Sequence, residues 1–499
     1  MLSISKRLLG LGFIILAGAL AVSAQTRTRT VATTGESAPG GGIFAPTVER
    51  AIEKGLPTIS GETIVFGSDV ILNGQSVYGI FTESGGVLRA VTRVGAPAPG
   101  GGTIQDIGHY TCDRLGNVFL TVRTGGGPGM DAVLKYSFGV LSLVARTGAK
   151  IPGDRVITSV GLAVAADGFG GVYFQCSFGT TPDSGSTALV RWKSAVAEDL
   201  VAATGDASVT GGTWGAISQS TLASSTSGLV VFASTVNGGT SGLFTGLAGN
   251  LSLADPTVTA NPNITIADND DGEISFMAPG VAGIRMVTLT GTTTFVTNGM
   301  PAPRTPGTIN FGGFNVGMGA DREGSLFFLA PISNGDGHGA GLFSRDRFTG
   351  AVTALVLQGD PAPGDVSGVF GLFAIAANLP THIVNDDGKI VFVASAGVDA
   401  TNVAFFTTLN APEGLVPSIA SASVKNTKLT VVGGSFEPGA RIQVNGVTLT
   451  DTKNNKKAPT TKLVSKTGGG SISPGETVSI TVVNATGSVS APFSYTRPR

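Results

Sequence analysis

Apolar residues along this chain fall in short alternating runs, separated by turns of glycine, proline, asparagine and aspartate. One such unit recurs. A run closing in a Gly/Pro turn reads TVATTGESAPGGG from Thr30, AVTRVGAPAPGGG from Ala90, LVARTGAKIPG from Leu143 and LVLQGDPAPG from Leu355. Weaker copies are LVAATGDAS from Leu200 and FVTNGMPAP from Phe295, and a degenerate one, LSLADPTV, starts at Leu251. Their turn positions, Gly35, Gly95, Gly148, Gly205, Asp255, Gly299 and Gly359, lie 60, 53, 57, 50, 44 and 60 residues apart. A period of that size marks a repeat architecture, and period-two alternation makes its elements strands.

Within each period a turn of the Asn/Asp-x-x-Gly type precedes apolar residues two and four places after the glycine. These are Asp113 to Gly116 with Val118 and Leu120, Asp167 to Gly170 with Val172 and Phe174, and Ser225 to Gly228 with Val230 and Phe232. Asn269 to Gly272 with Ile274 and Phe276, Asp321 to Gly324 with Leu326 and Phe328, and Asn385 to Gly388 with Ile390 and Phe392 continue the series. The first unit carries Gly61 and then Phe66, displaced by one residue. Residues so spaced share one strand face, which predicts a buried, Phe-rich layer between units. A third strand ends near Phe81, Phe244 and Phe343, and the repeated phrase supplies a fourth through Val31, Val91, Val144, Val201, Leu251, Phe295 and Leu355.

Four antiparallel strands in roughly 50 residues predict the blade of a β-propeller; the coils of a parallel β-helix are much shorter. The last unit runs out after Phe405 and Phe406 without its fourth strand, and the first phrase has no three strands before it. The expected reconciliation is that Arg29 to Thr34 completes the last blade. The fold class read from the sequence is therefore all-β, a seven-bladed β-propeller closed by the N-terminal strand, and closure removes exposed sheet edges. Helix signals are nearly absent, Thr47 to Gly55 being the best candidate.

The unit phrases resemble an uncharacterised group of secreted bacterial β-propeller-like repeat proteins, with a T-G-D-P-A-P-G turn and an N-x-x-G-x-[VI]-x-F strand. Gly359-Asp360-Pro361-Ala362-Pro363-Gly364 and Asn385 to Phe392 match those patterns best. The resemblance spans roughly Val31 to Phe406 and implies export and a propeller-like fold, with no activity attached. Beyond Pro417, Leu429 to Gly439, Ile442 to Gly446, Ser473-Pro474-Gly475 and Ser479 to Gly487 lead to Pro492-Phe493. This stretch resembles an IPT/TIG immunoglobulin-like domain. The resemblance implies a β-sandwich of about seven strands, used as a spacer, docking or adhesive module.

At the N-terminus, Lys6 and Arg7, the apolar run Leu8 to Ala21 and Val22-Ser23-Ala24 form a signal-peptide pattern, with cleavage expected after Ala24. Fourteen apolar residues are too few to span a bilayer, and no second long apolar run follows. The expected organisation is 1–24 signal peptide, 25–412 propeller and 413–499 immunoglobulin-like domain, in a soluble, exported, monomeric protein. Glycine is abundant (75) and charge sparse (13%), a balance that would favour disorder were the apolar residues not so regularly placed. From Pro417 onward 10 Lys or Arg face 3 acidic residues, a net of +7. The segment between the signal and Pro417 holds 20 basic and 30 acidic residues, a net of −10, which supports two domains. The basic segment suits a solvated face, or contact with an anionic polymer.

No motif with a catalytic mechanism is present, and no catalytic or cofactor-binding residue is expected. The three histidines, His109, His338 and His382, fall in different units; His338, in Asn334-Gly-Asp336-Gly-His338-Gly339, lies in a loop between second and third strands. The acidic turn Asp268-Asn269-Asp270-Asp271-Gly272 invites calcium, but it departs from EF-hand spacing and an Asx-stabilised turn explains it as well. Cys112 and Cys176, the two cysteines, are expected as separate buried thiols in neighbouring blades. The functional expectation is a secreted binding, adhesion or scaffold protein, not an enzyme. Its partner would be an extracellular protein or polysaccharide, with no nucleic acid and no membrane span. Binding is expected on the second-to-third-strand loops, Arg123 to Asp131, Gly179 to Thr187, Ser234 to Ser241 and Pro331 to Ala340. The alternative is a propeller enzyme, a glycoside hydrolase or lyase with carboxylates converging on the central channel; five Tyr and two Trp provide few sugar platforms.

Overall fold

The repeated phrase forms the same turn in six of its copies. The turn glycine donates its N–H to a carbonyl further along: Gly35 to Phe44 (2.9 Å), Gly95 to Ile104 (2.8 Å), Gly148 to Ile157 (2.8 Å), Gly205 to Trp214 (2.8 Å), Gly299 to Ile309 (2.9 Å) and Gly359 to Phe370 (2.8 Å). Those glycines have φ of 90°, 87°, 88°, 90°, 83° and 92°, a region that side chains with a Cβ avoid. Each accepting residue is buried, so the turn plants an apolar anchor at the start of the next unit. In the degenerate copy the Asp255 side chain replaces this backbone geometry. It accepts from the Thr257 N–H (2.7 Å) and Thr257 Oγ1 (2.6 Å), and from Thr292 Oγ1 (2.7 Å).

The computed structural model describes residues 28–125, 130–179, 186–194, 197–258, 263–266, 272–277, 283–288, 291–311, 316–363, 368–375, 382–396, 402–409, 417–434, 436, 439–484 and 490–499. The signal-peptide stretch and the acidic turn at 268–271 lie outside them. The chain divides into a unit of Thr26–Ala411 and one of Pro412–Arg499. Nearly all regular structure is antiparallel strand, with a helix at Val48–Lys54 where the sequence offered its best helical signal.

The first unit contains seven sheets of four or five strands. Sheet 1 lies within Ile43–Arg93, sheet 2 within Asp106–Arg146, sheet 3 within Lys150–Ala203 and sheet 4 within Thr213–Asp255. Sheet 5 lies within Asn263–Thr297 and sheet 6 within Thr308–Leu357. Sheet 7 joins Phe370–Phe373, Lys389–Ala396 and Asn402–Leu409 to the N-terminal strand Arg29–Thr33, which pairs Thr30 with Phe406 and Ala32 with Phe405.

Phe66, Phe174, Phe232, Phe276, Phe328 and Phe392 of the second strands are fully buried, each contributing about 1.5–3 kcal/mol. The anchor after the phrase turn packs edge-on against a third-strand phenylalanine in three sheets: Phe44 on Phe81 (4.9 Å), Trp214 on Phe244 (4.7 Å) and Phe370 on Phe406 (4.9 Å), the geometry that ring quadrupoles favour.

Successive sheets are joined by hydrogen bonds at the inner strands. The Tyr110 hydroxyl bridges sheets 1 and 2, accepting from the Gly67 N–H (3.0 Å) and donating to the Gly55 carbonyl (3.0 Å). Thr121 Oγ1 reaches the Leu162 carbonyl (3.1 Å), and the Tyr173 hydroxyl the Gly228 carbonyl (2.7 Å). Sheet 7 meets sheet 6 through a parallel bridge of Met318 with His382. It meets sheet 1 where the Ile59 N–H donates to the His382 carbonyl (2.9 Å) and Asn385 Nδ2 to the Gly61 carbonyl (2.7 Å).

The expectation of four strands per unit needs correction. Sheets 1, 3 and 6 have five. In sheet 3 the fifth is Lys150–Ile151 of the phrase turn, an edge strand paired with Arg155 and Val156. In several sheets, moreover, the first strand does not keep register along its length. Its pairing skips between Ile107 and Tyr110, Val160 and Val164, and Ile217 and Leu222. In sheets 1 and 6 it splits into two pieces that pair with the same neighbour, with the helix inserted between them in sheet 1.

The C-terminal unit has its own core, Leu429, Val431, Phe436, Ile442, Leu463, Ile472, Ile480 and Val482, between two four-stranded sheets. These make eight strands, where the sequence suggested about seven. The Tyr495 hydroxyl ties one sheet to the other by accepting from the Val424 N–H (3.1 Å).

Candidate functional site

One central pocket is lined by residues of sheets 1 to 6, Ser60, Cys112, Ala166, Ser224, Ile266 and Ala320, and by His382 from the segment between Phe370–Phe373 and Lys389–Ala396 of sheet 7. Its volume is about 40 Å³, room for a few waters and far below the several hundred Å³ of ligand clefts.

The acidic and polar turn residues around this hub hold their own turns. Asp113 accepts from the N–H groups of Leu115 and Asn117, both at 2.9 Å, and from Asn117 Nδ2 at 2.7 Å. Asp167 accepts from the N–H groups of Phe169 (2.9 Å) and Gly171 (2.7 Å) and from Arg191 through Nε (3.0 Å) and Nη2 (2.9 Å). Asp321 accepts from the Ser325 N–H (2.9 Å), Asn385 from that of Lys389 (2.7 Å), and the Ser225 hydroxyl from that of Leu229 (3.1 Å). The Asn/Asp-x-x-Gly pattern is thus an Asx-type turn that bonds backbone donors up to four residues on. Burial, with the charge of Glu323 nearby, pushes the Asp321 carboxyl up to about 6.

The three histidines do not form a constellation. His109, buried in sheet 2, accepts the Val164 N–H at Nδ1 (3.3 Å). His338 makes its Nδ1 bond to the Gln358 carbonyl, and His382 uses its backbone to join sheets 6, 7 and 1. Cys112 and Cys176 are buried and not bonded to each other; burial pushes the Cys112 thiol up, aided by the charge of Asp113. Among the described residues no group of three or more His, Cys, Asp or Glu is placed to hold a metal ion. Among them too, no helix is long and apolar enough to cross a membrane.

The loops between second and third strands lie beside the phrase turns. Thr240 exchanges hydrogen bonds with Thr210, through its N–H (3.2 Å) and its carbonyl (3.0 Å). The Gly339 N–H donates to Gln358 Oε1 (3.0 Å). Asp131 closes the base of its loop by accepting from the Thr124 N–H (2.9 Å) and Gly125 N–H (2.7 Å), while its carbonyl accepts from the N–H of Thr147 (2.8 Å). Residues 126–129 of that loop and 180–185 of the loop from Gly179 to Thr187 lie outside the described residues. Arginines bridge successive phrase turns: Arg93 donates to the Gly40 carbonyl (3.2 Å), Arg146 to that of Gly100, and Arg304 pairs with Asp360. The sequence reading missed these links because they join residues about 50 apart.

In the C-terminal unit, Lys425 stands directly opposite Lys428, Lys462 opposite Val432 and Lys453 opposite Val464. Among the described residues none of these lysines forms an ion pair.

A family model described as a family of unknown function, DUF7453, matches residues 264–404, from sheet 5 into sheet 7. No curated protein matches the chain. Among solved structures, a fungal alcohol oxidase of the AA5 family in complex with copper is similar at 10% identity, over 93% of this chain and 100% of that one, with a TM-score of 0.38. A streptogramin B lyase is similar at 12% identity over 69% and 97% of the two chains, TM-score 0.35. The β-propeller domain of the Trilobed protease from Pyrococcus furiosus is similar at 9% identity over 71% and 92%, TM-score 0.39.

Proposed function

We propose that the chain is an exported, non-enzymatic binding or adhesion protein. In this reading the seven sheets are the blades of a propeller closed by the N-terminal strand. The segment beyond Pro412 is an IPT/TIG immunoglobulin-like domain that spaces or docks the ring. The observation that carries the proposal is how the repeated residues are used. The glycines, aspartates and phenylalanines that recur from unit to unit are engaged in turns and in the layers between sheets. The loops between second and third strands rest on those turns through unlike residues: Thr240 on Thr210 in sheet 4, His338 and Gly339 on Gln358 in sheet 6. A repeated frame bearing unlike loops is the division of labour of repeat proteins that bind. The partner is an extracellular protein or polysaccharide.

The test is to screen the purified chain against glycan and extracellular-protein arrays, beside variants in which each of the four loops is replaced by a short turn. Binding is expected to fall when loops are replaced. Binding that survives all four replacements, or turnover of any polysaccharide by the chain, contradicts the proposal.

A further inference from the structure

A crevice of about 300 Å³ opens on the outer part of sheet 1, bounded by Pro39, Val70, Val77, Phe81, Ala90 and Leu141. Ala90 and Arg93, which line it, occupy two positions, five and two before the turn, at one of which several other sheets carry a leucine. The residue two before the turn position stands opposite a small third-strand residue in most units, as Arg93 does Gly79, Arg146 Ala132, Thr297 Gly283 and Leu357 Gly341, while the residue five before stands opposite larger ones such as Phe81 and Leu134. At the position five before the turn sheet 2 has Leu143, close against the Gly100 turn, and sheet 3 has Leu200. In sheet 4 a Cβ added to Gly242 would lie 3.0 Å from Leu253 Cδ1, and in sheet 6 one added to Gly341 would lie 2.6 Å from Leu357 Cδ2. Sheets 5 and 7 have threonines at both positions, Thr294 with Thr297 and Thr30 with Thr33.

Sheet 1 combines Gly79 with Ala90 and Arg93, and Arg93 stands opposite Gly79 in register. Where Leu357 folds inward over its glycine, Arg93 turns outward and gives one hydrogen bond, from Nη1 to the Gly40 carbonyl. It has no ion pair among the described residues. The result is an apolar cleft with a guanidinium at its rim, most of whose donors are uncommitted.

We propose that this crevice binds a small apolar carboxylate, its hydrocarbon body against Val70, Val77 and Phe81 and its carboxylate on Arg93. The volume is at the lower end of that of ligand clefts. An apolar lining with one convergent charge selects an amphiphile of opposite charge, and the guanidinium fork matches a carboxylate. Among the described residues, none of the four loops proposed for binding contributes to the crevice, so this proposal stands without that one.

Calorimetric titration of the full chain with decanoate and with 1-decanol tests the proposal. Decanoate is expected to bind at one site and the neutral alcohol at least about tenfold more weakly, since a hydrogen bond to a charged group contributes about 1.5–3 kcal/mol. Ala90→Leu and Arg93→Leu each introduce the leucine found in other sheets. Both are expected to lower decanoate affinity more than tenfold without lowering the melting midpoint. Arg93→Gln is expected to bind acid and alcohol alike. Absence of saturable decanoate binding, or unchanged affinity in both leucine variants, overturns the assignment; if one of them fails to fold, the other decides.

Discussion

A Cβ built on Gly95 meets no atom within 4 Å, yet the residue sits at a φ of +87°, which L side chains rarely adopt. The glycine is therefore required by its backbone and not by space. Gly95→Ala is expected to lower unfolding free energy by about 1–2 kcal/mol, read from a denaturant midpoint. Asp321 offers a complementary case. Its carboxyl is held at about 6 in the folded protein, chiefly by burial, against about 3.9 in an unfolded chain. The folded state keeps its proton at pH values where the unfolded state has released it. The contribution is thus fully present below about pH 4, declines as pH rises to about 6, and is constant above. Asn385 fills the equivalent place in sheet 7 with the same acceptor geometry, so Asp321→Asn is expected to fold unaltered. The variant should match the parent near pH 3.5 and exceed it at pH 7 by about 2 kcal/mol at most, part of the carboxyl being open to water. Thermal melts across that range check the sign; a variant less stable than the parent at pH 7 contradicts it.

At the scale of the element, the sequence showed the turns and the buried phenylalanines plainly, since both depend on residues within about ten positions of one another. Gly35, Gly95 and Gly359 are readable because a positive φ needs glycine, and Phe232 and Phe328 because a strand face repeats every second residue. The broken first strands were not readable. Whether Thr58–Ser60 continues Ile43–Phe44 depends on the register each finds against Thr63–Leu72, a tertiary matter. The arginine links and the leucine exchanged between Leu143 and Leu357 were likewise hidden, because a side chain's direction does not appear in a pattern of apolar positions. The same limit applies to Lys425 and Lys428, which the sequence marks as two cations and the register sets face to face. Like charges directly opposite are unfavourable. Lys428→Glu is accordingly expected to stabilise the C-terminal unit by about 0.2–1 kcal/mol at low salt, with the gain shrinking as salt is added. A gain independent of salt would point to another cause.

At the scale of the whole molecule, the central claim is that Arg29–Thr33 completes the sheet of Asn402–Leu409 and so, in the proposed propeller, closes the ring. Arg29–Thr33 pairs with Asn402–Leu409. Thr34 adds an N–H bond to the Val403 carbonyl (3.1 Å), Val403 returns one to Thr34 Oγ1 (3.1 Å), and Arg29 pairs with Glu83 of sheet 1 (2.7 Å). Val31 and Ala32 are buried in the core that sheets 7 and 1 share. Closure of this kind joins residues more than 360 positions apart in sequence, as the bond from Thr34 to Val403 does. The direct measurement is hydrogen exchange, with a thermal melt, on the parent and on a Val31→Pro, Ala32→Pro variant, which removes two N–H groups from the strand. The variant is expected to lose amide protection across Asn402–Leu409 and Lys389–Ala396 and to melt at a lower temperature. Unchanged protection in both strands together with an unchanged midpoint would contradict closure by the N-terminal strand.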